Sequence, residues 1–274
     1  MKKLIFYPIL ILLIGVYSSV LAQDENIVPK SNTNTEPFLF SFSTLTPEDS
    51  KWSLDYSSSY GDEVEGSMGF EGVSQQLGVK GYLGSRFTLY GSMAVGFPEE
   101  EGVSSAQQIE IIRNFLGGKK YTGWRLGAGL GGRRDFENEY SLLGRATLEY
   151  LNPKWKIGGN LLLEKEFEEN RDAIDIITSV GIHYNFIGGF YGGIEAIGED
   201  LEGFWDDEEA EGGAKLMVGP SLNLSPQKSR FSFSLSGGPV ILATENEPSN
   251  PNPIRELPSK AGLLVTGKII FVLN

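Results

Sequence analysis

His183 is the one side chain able to serve as a histidine base, because the 274 residues contain a single His and no Cys. The missing thiols exclude disulfides, thiolate metal centres and Cys nucleophiles, and a lone His excludes a two-His metal site. Ser179 stands four positions before His183 on the same strand face, ~13 Å away at strand rise and too far to be activated directly. His183 therefore reads as an interior histidine held by its neighbours. An acid-only site could instead be assembled from Glu149, Glu164, Glu166, Asp175 and Glu195. These acids share the polar face of their segments with Arg125, Arg145, Lys156 and Lys215, so an interior ladder of opposite charges is the expected arrangement.

The densest cluster of charge runs from Glu199 to Glu211, where eight carboxylates surround Phe204 and Trp205. Asp200, Glu202, Asp206 and Asp207 are oxygen ligands of the kind calcium or magnesium prefers. Their spacing lacks the twelve-residue EF-hand order, so the segment reads as a solvated loop that holds divalent cations loosely at most. No tightly bound cofactor is expected. The glycine run Gly127 to Gly132 superficially suggests a phosphate loop, but no helix follows to supply a dipole and an amide cradle.

The elements that must position these residues show a period of two. From Phe87 to Phe97, Phe87, Leu89, Met93, Val95 and Phe97 alternate with Thr88, Tyr90, Ser92 and Ala94. Similar alternation over roughly ten residues recurs along the chain, the signature of strands with one apolar face. It predicts twelve strands, near 51–60, 74–83, 86–97, 105–115, 121–132, 140–151, 155–167, 173–186, 189–199, 212–224, 229–242 and 261–273. The connections alternate as well. Those near 84–85, 117–119, 152–154, 187–188 and 225–228 are short, whereas those near 61–73, 98–104, 133–139, 168–172, 200–211 and 243–260 are mostly longer and acidic. Tyr82, Tyr121, Tyr150, Trp155, Phe186 and Phe190 gather beside the short turns, as an interfacial aromatic girdle would.

Before these strands, Lys2 and Lys3 precede an apolar run from Leu4 to Val16, followed by Val20-Leu21-Ala22. This is the charged, apolar and small-residue order of a cleaved export signal over 1–22. Residues 23–50 form a separate leader, polar at first and then apolar at Phe38, Phe40 and Phe42. That part could be an additional strand, an inward plug or a cap on the barrel mouth. The barrel domain then occupies 51–274. Acidic residues outnumber basic ones, 36 to 23, so nucleic acid is not an expected partner.

Signal, strand spacing, loop alternation and girdle together resemble Gram-negative outer-membrane β-barrel proteins from about residue 51 onward. The phrase Tyr82-Leu83-Gly84-Ser85-Arg86-Phe87-Thr88-Leu89-Tyr90-Gly91 is similar to the strand–turn–strand phrase of small-solute outer-membrane transporters. The resemblance implies an all-β, antiparallel, up-and-down transmembrane barrel of about twelve strands. Its partners would be outer-membrane lipid and lipopolysaccharide, the barrel assembly machinery and small solutes. It also implies a lumen lined by Arg125, Arg145, Glu149, Lys156, Glu164, Asp175, His183, Glu195 and Lys215. A non-enzymatic channel or binding barrel leads. The alternatives are a barrel enzyme acting on lipid or surface substrate and a closed structural or adhesive barrel.

Overall fold

Period-two alternation gives each strand an apolar and a polar face, and a sheet of such strands hides one face only by closing on itself or meeting another sheet. Here it closes. The computed structural model describes residues 38–46, 49, 52–64, 68–98, 102–117, 122–167, 174–204, 214–226, 229–242 and 261–273. The strands are β1 (Trp52–Asp62), β2 (Gly72–Gly84), β3 (Phe87–Phe97), β4 (Ser104–Leu116), β5 (Gly123–Arg134) and β6 (Tyr140–Leu151). They continue as β7 (Trp155–Glu166), β8 (Asp175–Ile187), β9 (Phe190–Glu199), β10 (Lys215–Leu224), β11 (Phe231–Leu242) and β12 (Gly262–Leu273). Each pairs antiparallel with its sequence neighbours, and β1 meets β12 from Trp52↔Leu273 to Asp62↔Leu263. The expected twelve-stranded up-and-down barrel is the observed fold. The proposed export signal lies outside the described residues.

Turn chemistry sets one end of the barrel. Ser85 and Arg86, both at positive φ, link β2 to β3, and Gly188 and Gly189 do the same between β8 and β9. Two consecutive left-handed residues match the right-handed twist of the flanking strands, which suits a two-residue hairpin. At this turn end, ring pairs run around the outside: Trp124 with Tyr150, Trp155 with Tyr184, Phe186 with Phe190, and Phe231 with Phe271. Tyr121 of the expected girdle lies outside the described residues, and the Tyr82 hydroxyl accepts the Arg86 amide at 3.3 Å.

The faces separate cleanly. Outward residues include Met93, Leu130, Leu77 and Ile194, all more than half exposed. Exposed aliphatic side chains on successive strands suit a hydrocarbon surround and would be unstable in water. Inward, Glu110, Glu149, Lys156, Glu164, His183, Glu195 and Lys215 are buried. The interior is therefore polar along much of its wall, and the apolar band is on the outside.

Candidate functional site

The lumen contains the chain's own residues 38–46 and 49, gripped by wall side chains. Leu39 and Phe40 donate their amides to one oxygen of Glu195 on β9, at 2.8 and 3.0 Å. Ser41 shares a hydroxyl contact of 3.0 Å with Ser179 on β8. Phe42 donates to Oδ1 of Asn160 on β7 at 2.7 Å, and Nδ2 of the same Asn returns a bond to the Phe42 carbonyl at 3.1 Å. Ser43 donates to Glu149 on β6, the Thr44 carbonyl accepts from Arg125 on β5, and the Leu45 amide reaches Thr88 on β3. The inner segment thus crosses the wall in the order β9, β8, β7, β6, β5, β3. An extended backbone in a closed barrel has no neighbouring strand to pair with, and these polar side chains satisfy it instead.

Both ends of the segment are fixed by more than hydrogen bonds. At one end, the Phe38 ring lies 4.7 Å from the His183 ring. It fills a notch made by Gly158 and Gly181, which face each other across β7 and β8. A Cβ at Gly181 would stand 2.3 Å from the Phe38 ring, and one at Gly158 would stand 2.8 Å from it. At the other end, Thr46 and Asp49 form a tight turn, the Thr46 amide and hydroxyl both donating to Asp49. Arg125 pairs with that carboxylate at 3.0 Å, and both side chains are almost fully buried. Between them, Phe42 packs its ring against Tyr90 and beneath the Lys80 ammonium, which sits 4.2 Å from its centroid.

Solved structures of the same shape exist at low sequence identity. The KdgM porin in complex with disordered oligogalacturonate superposes with a TM-score of 0.54 at 9% identity, over 81% of this chain and 99% of that one. The NanC porin gives 0.54 at 8% identity, over 80% and 100%. An outer membrane channel of Pseudomonas putida F1 gives 0.51 at 12% identity, over 87% and 100%. The chain shares the fold of these outer-membrane β-barrels. No protein-family model matches this sequence, and no curated protein matches it.

Within this barrel, the residues singled out from the sequence fall into distinct places. Arg125, Glu149 and Glu195 hold the inner segment. Arg145 binds Glu110 through two bonds of 2.7 Å and reaches Asn160 at 3.1 Å, so it braces the Asn that clasps Phe42. Glu164 accepts from Ser141 at 2.5 Å and pairs with Arg133 at 2.8 Å. Asp175 lies opposite Glu164 in the β7–β8 ladder, and Lys215 lies opposite Glu199 between β9 and β10. Lys156 stands across from His183 and places its ammonium 3.8 Å from the Tyr191 centroid.

His183 itself is fully buried, its Nε2 3.8 Å from Glu195, and neither nitrogen has a hydrogen-bond partner among the described residues. That differs from the hydrogen-bonded interior histidine expected: an aromatic ring, Phe38, packs against the imidazole at 4.7 Å. Of the cation candidates, Asp206, Asp207 and the Glu202 side chain lie outside the described residues. Asp200 caps β8 instead, accepting the Ile176 amide at 2.9 Å while its own amide reaches the Ile176 carbonyl.

Sequence reasoning missed Asp49, Thr88, Glu110 and the Gly158–Gly181 notch, all of which serve the inner segment or its supports. Thr88 and Glu110 stood on inward positions of alternating strands, so the period was available as a signal. The notch was not visible without the β7–β8 register, which sets the two glycines side by side.

Proposed function

We propose that this protein is a non-enzymatic outer-membrane barrel for small polar solutes, with residues 38–46 and 49 holding its lumen closed. The supporting observation is the inner segment itself. It crosses the lumen from β9 to β3 on bonds from Glu195, Asn160, Thr88 and Arg125, where an open pore would need water. The apolar exterior supports a lipid setting, and the likeness to porins supports a solute role. His183 supports no catalytic reading, because Phe38 and the wall enclose it completely.

Planar-bilayer recording tests this. The complete protein should conduct weakly, and deletion of residues 38–46 should produce larger, discrete steps. A milder variant, Glu195→Leu with Asn160→Leu, loosens the grip while retaining the segment and should open intermittently. Heat-modifiable gel mobility verifies that each barrel is folded. Folded variants that conduct no better than the complete protein would overturn the closing role of the segment.

A further inference from the structure

The loop-end half of the lumen is packed on one side and open on the other. From β6 to β12, Leu143, Leu162, Ile177, Ile197, Met217, Val240 and Leu264 form one apolar cluster, and the buried Glu164, Asp175, Glu199 and Lys215 stand on the same wall nearer the loops. Val64 and Met68, from the connection after β1, drop into the same cluster, and Phe40 of the inner segment packs against it. On β1 to β3 the equivalent positions carry Ser57, Ser59, Ser74, Gln76 and Ser92. These short side chains leave a cavity of about 230 Å³, floored by Leu39 and Phe40 of the inner segment.

We infer that this cavity binds a small, uncharged, polyhydroxylated solute of monosaccharide size. The inference rests on reading the barrel as a solute carrier and names the solute class. Size is the first argument, since drug-sized ligands occupy pockets of roughly 300–1,000 Å³ and this one is smaller. Polarity is the second. Serine hydroxyls both donate and accept, as sugar hydroxyls do. Gln76 anchors its amide nitrogen on the Tyr90 hydroxyl at 2.8 Å, and Gln108 anchors on Glu110 at 2.5 Å. Each held amide keeps its carbonyl oxygen and a second N–H proton for a ligand.

Charge is the third argument, and it favours a neutral solute. The charged side chains lining the cavity among the described residues are Arg133, Asp135 and Lys268. Arg133 is bound by Glu164 at 2.8 Å, Asp135 accepts the amides of Glu137 and Glu139, and Lys268 lies within electrostatic reach of Glu195. An ionic solute would lose hydration here, because Arg133 and Lys268 already face carboxylates and one oxygen of Asp135 is taken by two backbone amides. Shape is the fourth. Phe70 and Phe136 meet at 4.6 Å beside the cavity, offering apolar surface to the C–H face of a sugar ring. Gly96 provides the seat for Phe70, since a Cβ there would stand 2.6 Å from the Phe70 ring.

Calorimetric titration of the purified complete barrel tests the site. The probes are neutral hexoses and hexitols, with glucuronate and glucosamine as matched anion and cation. At least one neutral probe should bind, and both charged analogues should bind at least tenfold more weakly than the neutral parent. Ser92→Leu, which fills the cavity, and Gln76→Leu, which removes an amide without filling it, should each weaken binding at least tenfold. A folded wild type that binds no neutral probe, or that prefers glucuronate in a salt-dependent way, overturns the inference. Bilayer recordings of the 38–46 deletion separate this from the carrier reading. Sugar binding without conductance would sink the carrier alone, and conductance without sugar binding would sink the site alone.

Discussion

Phe38 and Asp49 hold the inner segment by different physics, and substitutions at their seats should separate the two. Gly181→Val places branched carbon where a single Cβ already comes within 2.3 Å of the Phe38 ring, so the ring must leave its notch. Exposing a Phe side chain costs ~1.5–3 kcal/mol, so exchange at the Leu39 and Phe40 amides should accelerate about ten- to hundredfold. Hydrogen–deuterium exchange would show this while the strand amides stay protected; unchanged protection would mean the notch does not hold the segment. At the other end, Asp49→Asn strips the counter-charge from buried Arg125. Leaving one partner of a buried pair uncompensated costs ~3–5 kcal/mol, which should lower the thermal midpoint far more than a surface Asp→Asn control. Alternation put Arg125 on the polar face of its strand, and the structure buries that side chain. Asp49, 76 positions away from Arg125, had no periodic pattern to mark it as a partner.

At the scale of elements, the twelve strands were legible because alternation is a local signal: β6 runs from Tyr140 to Leu151, the span expected from the residues alone. The two-residue turns were legible to within one residue: the expected 84–85 and 187–188 are 85–86 and 188–189, because the positive-φ pairs Ser85–Arg86 and Gly188–Gly189 set the turn one step later. The inner segment was not legible. Its bonds join residues 43 to 156 positions apart, and neither its hydropathy nor its short length distinguishes strand, plug and cap. The alternation also carries an energetic prediction. Leu161 points outward near the middle of β7, opposite Thr178 in the ladder. Leu161→Arg should destabilise the barrel in lipid vesicles by ~2–4 kcal/mol, the cost of a cation at the bilayer midplane. Urea unfolding midpoints measure this, and a neutral result would place the outer face somewhere other than lipid.

For the whole molecule, strand parity places the five turns at one end and the longer connections at the other, and the absence of cysteine makes the orientation measurable. Glu137, exposed in the connection between β5 and β6, and Lys154, exposed in the turn between β6 and β7, lie at opposite ends. A membrane-impermeant maleimide added to intact cells should label Glu137→Cys at once and Lys154→Cys only after the outer membrane is permeabilised. The reverse pattern would invert the barrel and close the cavity to external solutes. The uneven filling of the lumen has a consequence on the timescale of evolution. The aliphatic residues of β6 to β12 hold the interior together, whereas the cavity wall on β1 to β3 is built from serines, an alanine and a glutamine with little packing to lose. Solute preference can therefore drift by substitution on three strands while foldability is inherited on the others, so descendants of this barrel can change diet without relearning how to fold.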